Sequence, residues 1–505
     1  MKISLPSIPN LVKGSILNSP TRLIKLARST GWLKREPKKL EPITLIRGIL
    51  HAVGRGEASF RLLSQSIGLH LDGKIEVSCD CDVDREGAER DQPFGTISKP
   101  ALWERINNDA VEFFRGVLFE LMKGGTKPAP ADSRELLPGI TAILGEDSSL
   151  INLHKSLADR FPATRNQNVA RGAGLRLQAV FDLLSGRAIH LQLTEYLRND
   201  QSAAYDIIPL LKPGDLILRD LGYLVTGALG QIVGTGAHFV SRLHSNWLVY
   251  RTSDDGGNEI DIVRYLQTHA PDEGDTVDIG VGLGPEVEGS KRFECRLVAR
   301  KVPARVEEKR LRKIARDEKR LGKQRSKKHK KFQGWEIYIA SLDGDCAGVA
   351  KICEVYRLRW RIETIFKAFK SYTSLMKIAR HHTNGNHIQV LLYGWLCLVV
   401  VASETGAFAL AKEAGPDRRL KPNCLSLLKV LPKVFELINA TLMVSTTRNM
   451  RLLFERWIAQ IEYHDRYEKR KLRTNMAEML ASVLDFPDCE PPRLMEFSGN
   501  QRTLT

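Results

Sequence analysis

The chain has 505 residues, 43% of them apolar, with a formal net charge of +17 and a pI near 9.5. That length exceeds what one hydrophobic core sustains, so about two to four domains are expected. The basic excess argues against an acidic partner and points to a polyanion, nucleic acid first and a membrane surface second.

The Met1 end lacks a signal-type apolar stretch: Pro6 and Pro9 interrupt it and Lys13 follows. The eight cysteines are scattered, and only Cys79 and Cys81 are close, so free thiols in a reducing cytoplasm are expected. From Met1 to Gly56 there are eleven Lys or Arg against Glu36 and Glu41. Thr21 to Leu33 and Thr44 to Val53 read as helices. Ser59 opens a short one that closes at Gly68. Glu76 to Asp91 is an acidic loop; Cys79-Asp-Cys-Asp-Val-Asp84 inside it lacks zinc spacing. Ser98 caps a helix with Pro100 in its first turn, running on through Asn107 to Met122. A basic bundle containing a helix-turn-helix suits DNA binding; the alternative is an ordinary helical domain with a solvated charged face. Gly124 to Asp132, with two prolines, is a linker.

From Gly139 the pattern changes to short apolar runs. Ile140 to Gly145 is a strand that ends at Glu146-Asp-Ser-Ser149. Leu175 to Leu184 and Ala188 to Thr194 follow, with Ser185-Gly-Arg187 as the turn between them. Tyr205 to Leu211 is a helix. Asp215 to Asp220 is a nearly all-apolar, hence central, strand. Leu224 to Val233 is a helix and His238 to Leu243 a fifth strand. This order is that of an RNase H-like fold, in which carboxylates end the first and fourth strands. Asp147 and Asp220 occupy those places. Glu146 is adjacent to Asp147 but faces the other side of its strand. Asp215 belongs to the Pro-Gly-Asp turn, while Asp182 and Asp200 are further alternatives. A lone aspartate is most often a cap or turn residue, so the assignment leans on the shared fold.

About a hundred residues then intervene before Cys346, too many for a simple connection, which makes them an insertion. Trp247 to Arg251, Thr276 to Val281 and Phe293 to Ala299 read as strands. Arg300 to Lys331 carries sixteen Lys or Arg against four acids. Arg305 to Leu321 is a helix, Gly322 to Lys331 a flexible basic tail, and phosphate-backbone contact is expected there over a merely solvated surface. Trp335 to Ser341 is the last strand.

Tyr356-Arg-Leu-Arg-Trp-Arg-Ile-Glu-Thr-Ile-Phe-Lys-Ala-Phe-Lys370 reads as one long helix. Tyr356, Arg359, Glu363 and Lys370 fall on one face of it. An i, i+4 pair such as Arg359 and Glu363 commonly decorates a solvated helix. The full pattern Tyr-x2-Arg-x3-Glu-x6-Lys, in this context, resembles the signature of the insertion-sequence-four family of DNA transposases. The resemblance covers about Leu40 to Ala411 and includes Asp147-Ser-Ser-Leu-Ile-Asn-Leu, Asp215 to Tyr223 and Phe239-Val-Ser-Arg-Leu243. Asp-Ser-Ser at the first aspartate departs from the family's usual Asp-Gly-Thr or Asp-Ser-Thr.

The resemblance implies an α/β fold. An RNase H-like catalytic core, with a mixed five-stranded sheet and helices, is interrupted by a mostly β insertion and flanked by helical N- and C-terminal domains. The divisions are 1–130, 131–245, 246–345, 346–412 and 413–505. Asp147, Asp220 and Glu363 map onto the family's catalytic acids and would bind two magnesium ions, with manganese able to substitute. Tyr356, Arg359 and Lys370 would grip phosphates. Trp335 matches a tryptophan that stacks on a flipped base, Trp360 would serve the same region, and Arg242 would lie near the end DNA. The implied activity is cut-and-paste transposition at inverted-repeat ends of double-stranded DNA, by a homodimer in a prokaryotic cytoplasm, associated with the nucleoid. A catalytically silent DNA-binding protein and an RNase H-like nuclease without strand transfer are the rival readings.

The tail holds less. His381-His-Thr-Asn-Gly-Asn-His387 lacks the helical spacing of a zinc site. Ile388 to Ala411 contains Gly394, Ser403, Glu404 and Gly406; it is short for a bilayer span, so a buried helix and no membrane are expected. Cys424 to Met443 and Arg448 to Leu480 are further helices, and Asp485 onward is a loose end.

Overall fold

The polar and apolar alternation that begins at Gly139 builds one mixed sheet of nine strands. The computed structural model describes residues 15–37, 40–56, 59, 63–64, 67, 99–123, 137–163, 172–184, 186–252, 258–284 and 292–413. The acidic loop at 76–91, most of the helix opened by Ser59, the linker, the helices expected after Cys424 and the end from Asp485 lie outside them.

The first helices are α1 (Pro20–Ser29), α2 (Pro42–Gly54), α3 (Lys99–Arg105) and α4 (Asn108–Lys123). The single helix expected from Ser98 to Met122 is broken because Asn107 caps a new one: its Oδ1 accepts the Ala110 N–H at 3.1 Å. The strands β1 (Ala142–Asn152), β2 (Gly174–Asp182) and β3 (Ala188–Glu195) are antiparallel neighbours. After α5 (Asp200–Ala203), β4 (Asp215–Arg219) pairs parallel with β1. After α6 (Thr226–Gly234), β5 (His238–Arg242) pairs parallel with β4.

The next segment corrects the five-stranded expectation. It supplies β6 (Val249–Arg251), α7 (Ile262–His269), β7 (Thr276–Leu283), β8 (Phe293–Lys301), α8 (Ala304–Leu321), α9 (Lys327–Lys331) and β9 (Trp335–Ala340). Strand β9 bonds antiparallel to β5, so the order runs β3-β2-β1-β4-β5-β9-β8-β7-β6. An open edge at β5 would leave backbone donors and acceptors unpaired, and the inserted strands satisfy them. The basic tail is also more ordered than expected. Ser326 Oγ accepts the His329 N–H at 3.1 Å and starts α9.

Helices α10 (Val349–Arg357), α11 (Trp360–Tyr372), α12 (Leu375–His381) and α13 (Gly385–Glu413) complete the described chain. Side chains alternate between two cores. Ile143, Leu216, Leu218 and Val240 face the one built with α1, α2, α4 and α10–α13. Leu144, Val180, Ile217 and Phe239 face the one built with α5, α6 and α7. Residues 385–404 would be long and apolar enough to cross a membrane, yet 89% of that window is buried inside the protein. Trp395 is buried there, edge-on to Phe369 at 4.9 Å. Helix α2 buries Leu45, Ile46, Ile49, Leu50 and Val53. At roughly 1.5–3 kcal/mol per such side chain, that face is held in the core.

The turn into β4 needs glycine. Gly214 has φ +84°, and a Cβ there would lie 2.8 Å from the Gly139 carbonyl oxygen. Gly214→Ala should lower stability by about 1–3 kcal/mol, read as a shift of the denaturant midpoint at unchanged slope.

Candidate active site

Three elements carry the acidic side chains. Asp147 lies within β1 and not at its end, because pairing with β2 continues to Asn152 and sets Asp147 opposite Ala179. Asp220 directly follows β4 and begins a 3-10 turn, Leu221–Tyr223. Glu363 stands in the first turn of α11. Asp147 and Asp220 project toward the face that α10 and α11 cover; Glu146 and Arg219 project to the other. The rejected alternatives have other partners. Asp215 Oδ2 accepts the Lys212 N–H at 2.8 Å, Asp182 Oδ1 accepts the Leu184 N–H at 2.9 Å, and Asp200 pairs with Arg176 at 2.8 Å.

Arg359 sits among the acids. Its Nη1 is 3.5 Å from Asp147 Oδ2, and its Nη2 pairs with Glu363. Burial alone would lower its pKa, yet Tyr356, Asp220, Glu363 and Asp147 together raise it. Asp147 is pushed up to about 6: burial is the main cause, the Ser148 N–H and Arg359 oppose it, and Asp220 and Glu363 add to it. Like charges that perturb one another in this way share a site.

The long helix expected from Tyr356 to Lys370 is two helices. At the joint, hydrogen bonds tighten to i−3: Leu358 to Val355 at 3.0 Å, Arg359 to Tyr356 at 3.0 Å, Arg361 to Leu358 at 2.9 Å. Helix α10 packs over β5, β8 and β9, and α11 over β1. A twisted sheet turns those strands away from one another, so one straight rod cannot follow both. Buried Arg361 fastens the joint by donating to the Leu183 carbonyl.

The expected phosphate-gripping residues divide. Tyr356 does not face solvent: its hydroxyl donates to the Arg219 carbonyl at 3.0 Å. Burial pushes its pKa up to about 12. Its ring centre lies 5.7 Å from the Arg242 guanidinium and 5.9 Å from that of Arg359, so it orients both cations and does not itself present a donor. Arg242 and Lys370 are exposed. The tryptophans exchange roles. Trp335 is buried, donates Nε1–H to the Ala270 carbonyl at 2.9 Å and is capped by Lys301, so its ring has no free face for a base. Trp360, 46% exposed beside Arg359, has one.

Oxygen ligands of this kind suit a hard divalent cation. Among the described residues, however, no three His, Cys, Asp or Glu side chains stand close enough to share one ion. Arg359 holds the space between Asp147 and Glu363, so a metal would have to take over its charge-balancing place.

The transposase DDE domain model matches residues 143–401, slightly more than half of the chain and a span containing all three acids. The chain belongs to this family. It is 28% identical over 326 residues to the transposase for insertion sequence element IS231F of Bacillus thuringiensis subsp. israelensis, covering 62% of this chain and 66% of that protein. To the transposase for IS1151 of Clostridium perfringens it is 23% identical over 343 residues, 64% of this chain and 70% of the relative. The chain thus spans just under two thirds of the IS231F protein. A cryo-EM structure of a piggyBac transposase synaptic complex with hairpin DNA overlays with a TM-score of 0.41 at 10% identity, covering 89% of this chain and 84% of that one. That overlay is too loose to bear on the fold.

Membership in the DDE family does not explain Arg219 and Arg361, which sequence reasoning passed over, or Glu146, which it weighed only as a rival to Asp147. The signal for Arg219 was there: a lone cation inside the apolar run Asp215-Leu-Ile-Leu-Arg219 needs a buried partner. The two tryptophans give a direct check. Trp335→Ala should cost about 3–5 kcal/mol of stability, whereas Trp360→Ala should leave the thermal midpoint within a few degrees of wild type.

Proposed function

We propose that this chain is a DNA transposase that cuts element ends and joins them to a target by phosphodiester hydrolysis and strand transfer. The observation that carries this reading is that Arg359 lies 3.5 Å from Asp147 of β1, pairs with Glu363 of α11 and has its charge favoured by Asp220, the residue after β4. Asp147, Asp220 and Glu363 would hold magnesium or manganese, two ions in the full site. Bound there, the ions would supply the positive charge that lets water, and then a 3′-hydroxyl, attack a phosphodiester. Arg359, once released from the acids, would pair with a phosphate beside the cut through its planar fork. Arg242 and Lys370 are exposed cations at the same face, and Trp360 offers a ring for an unstacked base.

The strand order β3-β2-β1-β4-β5, antiparallel through the first three and parallel through the last, supports an RNase H-like core made of 131–245 and 346–412. On this reading 246–345 is the insertion, 1–130 the basic helical part and 413–505 a helical tail. Two inverted ends call for a two-fold homodimer on double-stranded DNA. Such a substrate implies work in the cytoplasm at the nucleoid.

Helix α8 supports a DNA partner independently. It buries no residue, and Gly322 at φ +65° lets the chain fold back so that Glu318 meets Lys330 at 3.1 Å. The acid spent there is internal, and Lys309, Lys313 and Arg316 remain in a row on one exposed face. Changing all three to Gln should weaken DNA binding and flatten its logarithmic salt dependence by about 0.9 for each phosphate no longer neutralised, as measured by fluorescence anisotropy. Glu363→Ala should stop magnesium-dependent nicking of end DNA while gel-shift affinity stays near wild type. A nick that survives in this variant rejects the proposed acids, and wild-type protein that binds ends but never cuts them leaves a silent DNA-binding protein.

A further inference from the structure

Several arginines set into this fold are matched one to one with an acid. Arg219 meets Glu146 at 2.7 Å, Arg187 meets Glu404 at 2.7 Å and Arg198 meets Asp206 at 2.6 Å. One place breaks that balance. Three guanidiniums turn to the single carboxylate of Glu336. Arg300 Nη2 lies 2.7 Å from its Oε2, while Arg310 Nη2 and Arg357 Nη2 lie 3.6 and 3.7 Å from its Oε1. The two longer contacts are ion pairs without hydrogen bonds. Among the described residues neither Arg310 nor Arg357 pairs with another acid, and Arg242, over the nearby Tyr356 ring, pairs with none. Glu307, the other acid near Arg310, is taken up by Lys301 at 3.1 Å.

The cluster stands on the face of the sheet that α10 covers. Glu336 shares its side of β9 with Tyr338, whose ring centre is 4.6 Å from that of Tyr356 in α10. Glu336 is opposite Arg300 on β8, and Tyr338 is opposite Arg242 on β5. In the parallel ladder of β4 and β5, Arg219 is beside Ser241, so the next residues, Asp220 and Arg242, follow at one level. Neighbouring strands lie about 4.8 Å apart, which puts Glu336 on the order of 10 Å from Asp220. That is about three base steps of a nucleic-acid strand at about 3.4 Å each. On the far side, Arg310 leads into α8, whose exposed face holds Lys309, Lys313 and Arg316.

We propose that Arg242, Arg300, Arg310 and Arg357 form a seat for one backbone phosphate of a DNA strand that passes from α8 toward Asp220. This rests on the reading of DNA as the partner and needs no metal at the acids. Glu336 holds the forks in place while the seat is empty. Arg310 is set in advance: its Nη1 donates to the Gln333 and Trp335 carbonyls at 3.1 Å each, which leaves Nη2 turned to the cluster. Arg357, with its side chain 48% exposed, opens the seat to solvent. Burial lowers the pKa of Arg310; Glu336 opposes that and Arg242 adds to it, so the cations repel at close quarters. A phosphate relieves the repulsion, because its oxygens accept from several planar forks at once. One carboxylate already bonded to Arg300 does so incompletely.

The test uses the full chain and a duplex carrying the element end, without divalent cation, with binding read by fluorescence anisotropy over a salt series and folding by thermal melting. Arg357→Gln is compared with Arg264→Gln, which removes an exposed charge from α7 on the other side of the sheet. Arg357→Gln should flatten the logarithmic salt slope by about 0.9, the share of one phosphate. Arg357→Lys, which keeps the charge, should restore the slope, and Arg264→Gln should leave it as in wild type. Neutral methylphosphonate linkages placed one at a time along the duplex locate the contact. One linkage should weaken wild type and make no difference to Arg357→Gln. A folded Arg357→Gln that matches Arg264→Gln in slope, or that responds to every linkage as wild type does, overturns the proposal. If Arg357→Gln does not fold, Glu336→Gln replaces it: emptying the seat of its own anion should tighten DNA binding about threefold or more, and unchanged or weaker binding overturns the proposal. Wild-type protein that binds no duplex removes the DNA reading and the seat together. Steep salt dependence in wild type, with Arg357→Gln no different from Arg264→Gln, removes the seat alone.

Discussion

The burial of the Asp147 carboxylate, with Asp220 and Glu363 adding their charge nearby, is the constraint that the surrounding structure answers. A carboxylate buried in this way is helped to stay charged by a cation beside it. Arg359 supplies it, reaching Asp147 and pairing with Glu363. The guanidinium is itself oriented by the face of Tyr356, which it shares with Arg242. The break between α10 and α11 places Arg359 there.

The sheet divides its labour by the two-residue period of a strand. Along β1, Asp147 faces α10 and α11, while Glu146 and Ser148 face the opposite core. Several polar groups on that far side pair with one another. Ser148 Oγ donates to Asp200 at 2.8 Å, Tyr223 to Gln178 at 2.6 Å, and Arg198 holds Asp206 at 2.6 Å. Buried polar groups without such partners would be costly. Here they brace the backs of the strands that carry the acids, while the front keeps its charge for a ligand.

Charge is also separated along the chain. Acids stand within β1 and just past β4, whereas α8 and α9 lift a cationic surface off the far half of the sheet. Because β9 joins β5, that surface is not on a detached module. Its position is set by the same ladder that continues into β4. Arg310 ties α8 back to the sheet by donating to the Gln333 and Trp335 carbonyls, each at 3.1 Å. The distance from the basic arm to the acids is thereby set by sheet geometry and not by a linker.

Much of this was legible in the residue order. The alternation after Gly139 located β1 to β5, the Pro-Gly-Asp turn excluded Asp215, and the Tyr-Arg-Glu-Lys spacing drew attention to Glu363 and Arg359. Those are local or periodic signals, and local backbone chemistry writes them directly into sequence. Other features depend on what meets what across the fold. That Trp335 is enclosed follows from which face of β9 its neighbours cover, and that Trp360 is exposed from which side of α11 lies against β1. That Arg219 finds Glu146 depends on a parallel register between strands about seventy residues apart. That the signature helix breaks at Leu358 depends on the twist of the sheet beneath it. The sequence by itself located most of the strands and nominated the acids; the tertiary structure decided where the long helices break and which charges are neighbours, because burial and register arise only when distant segments pack.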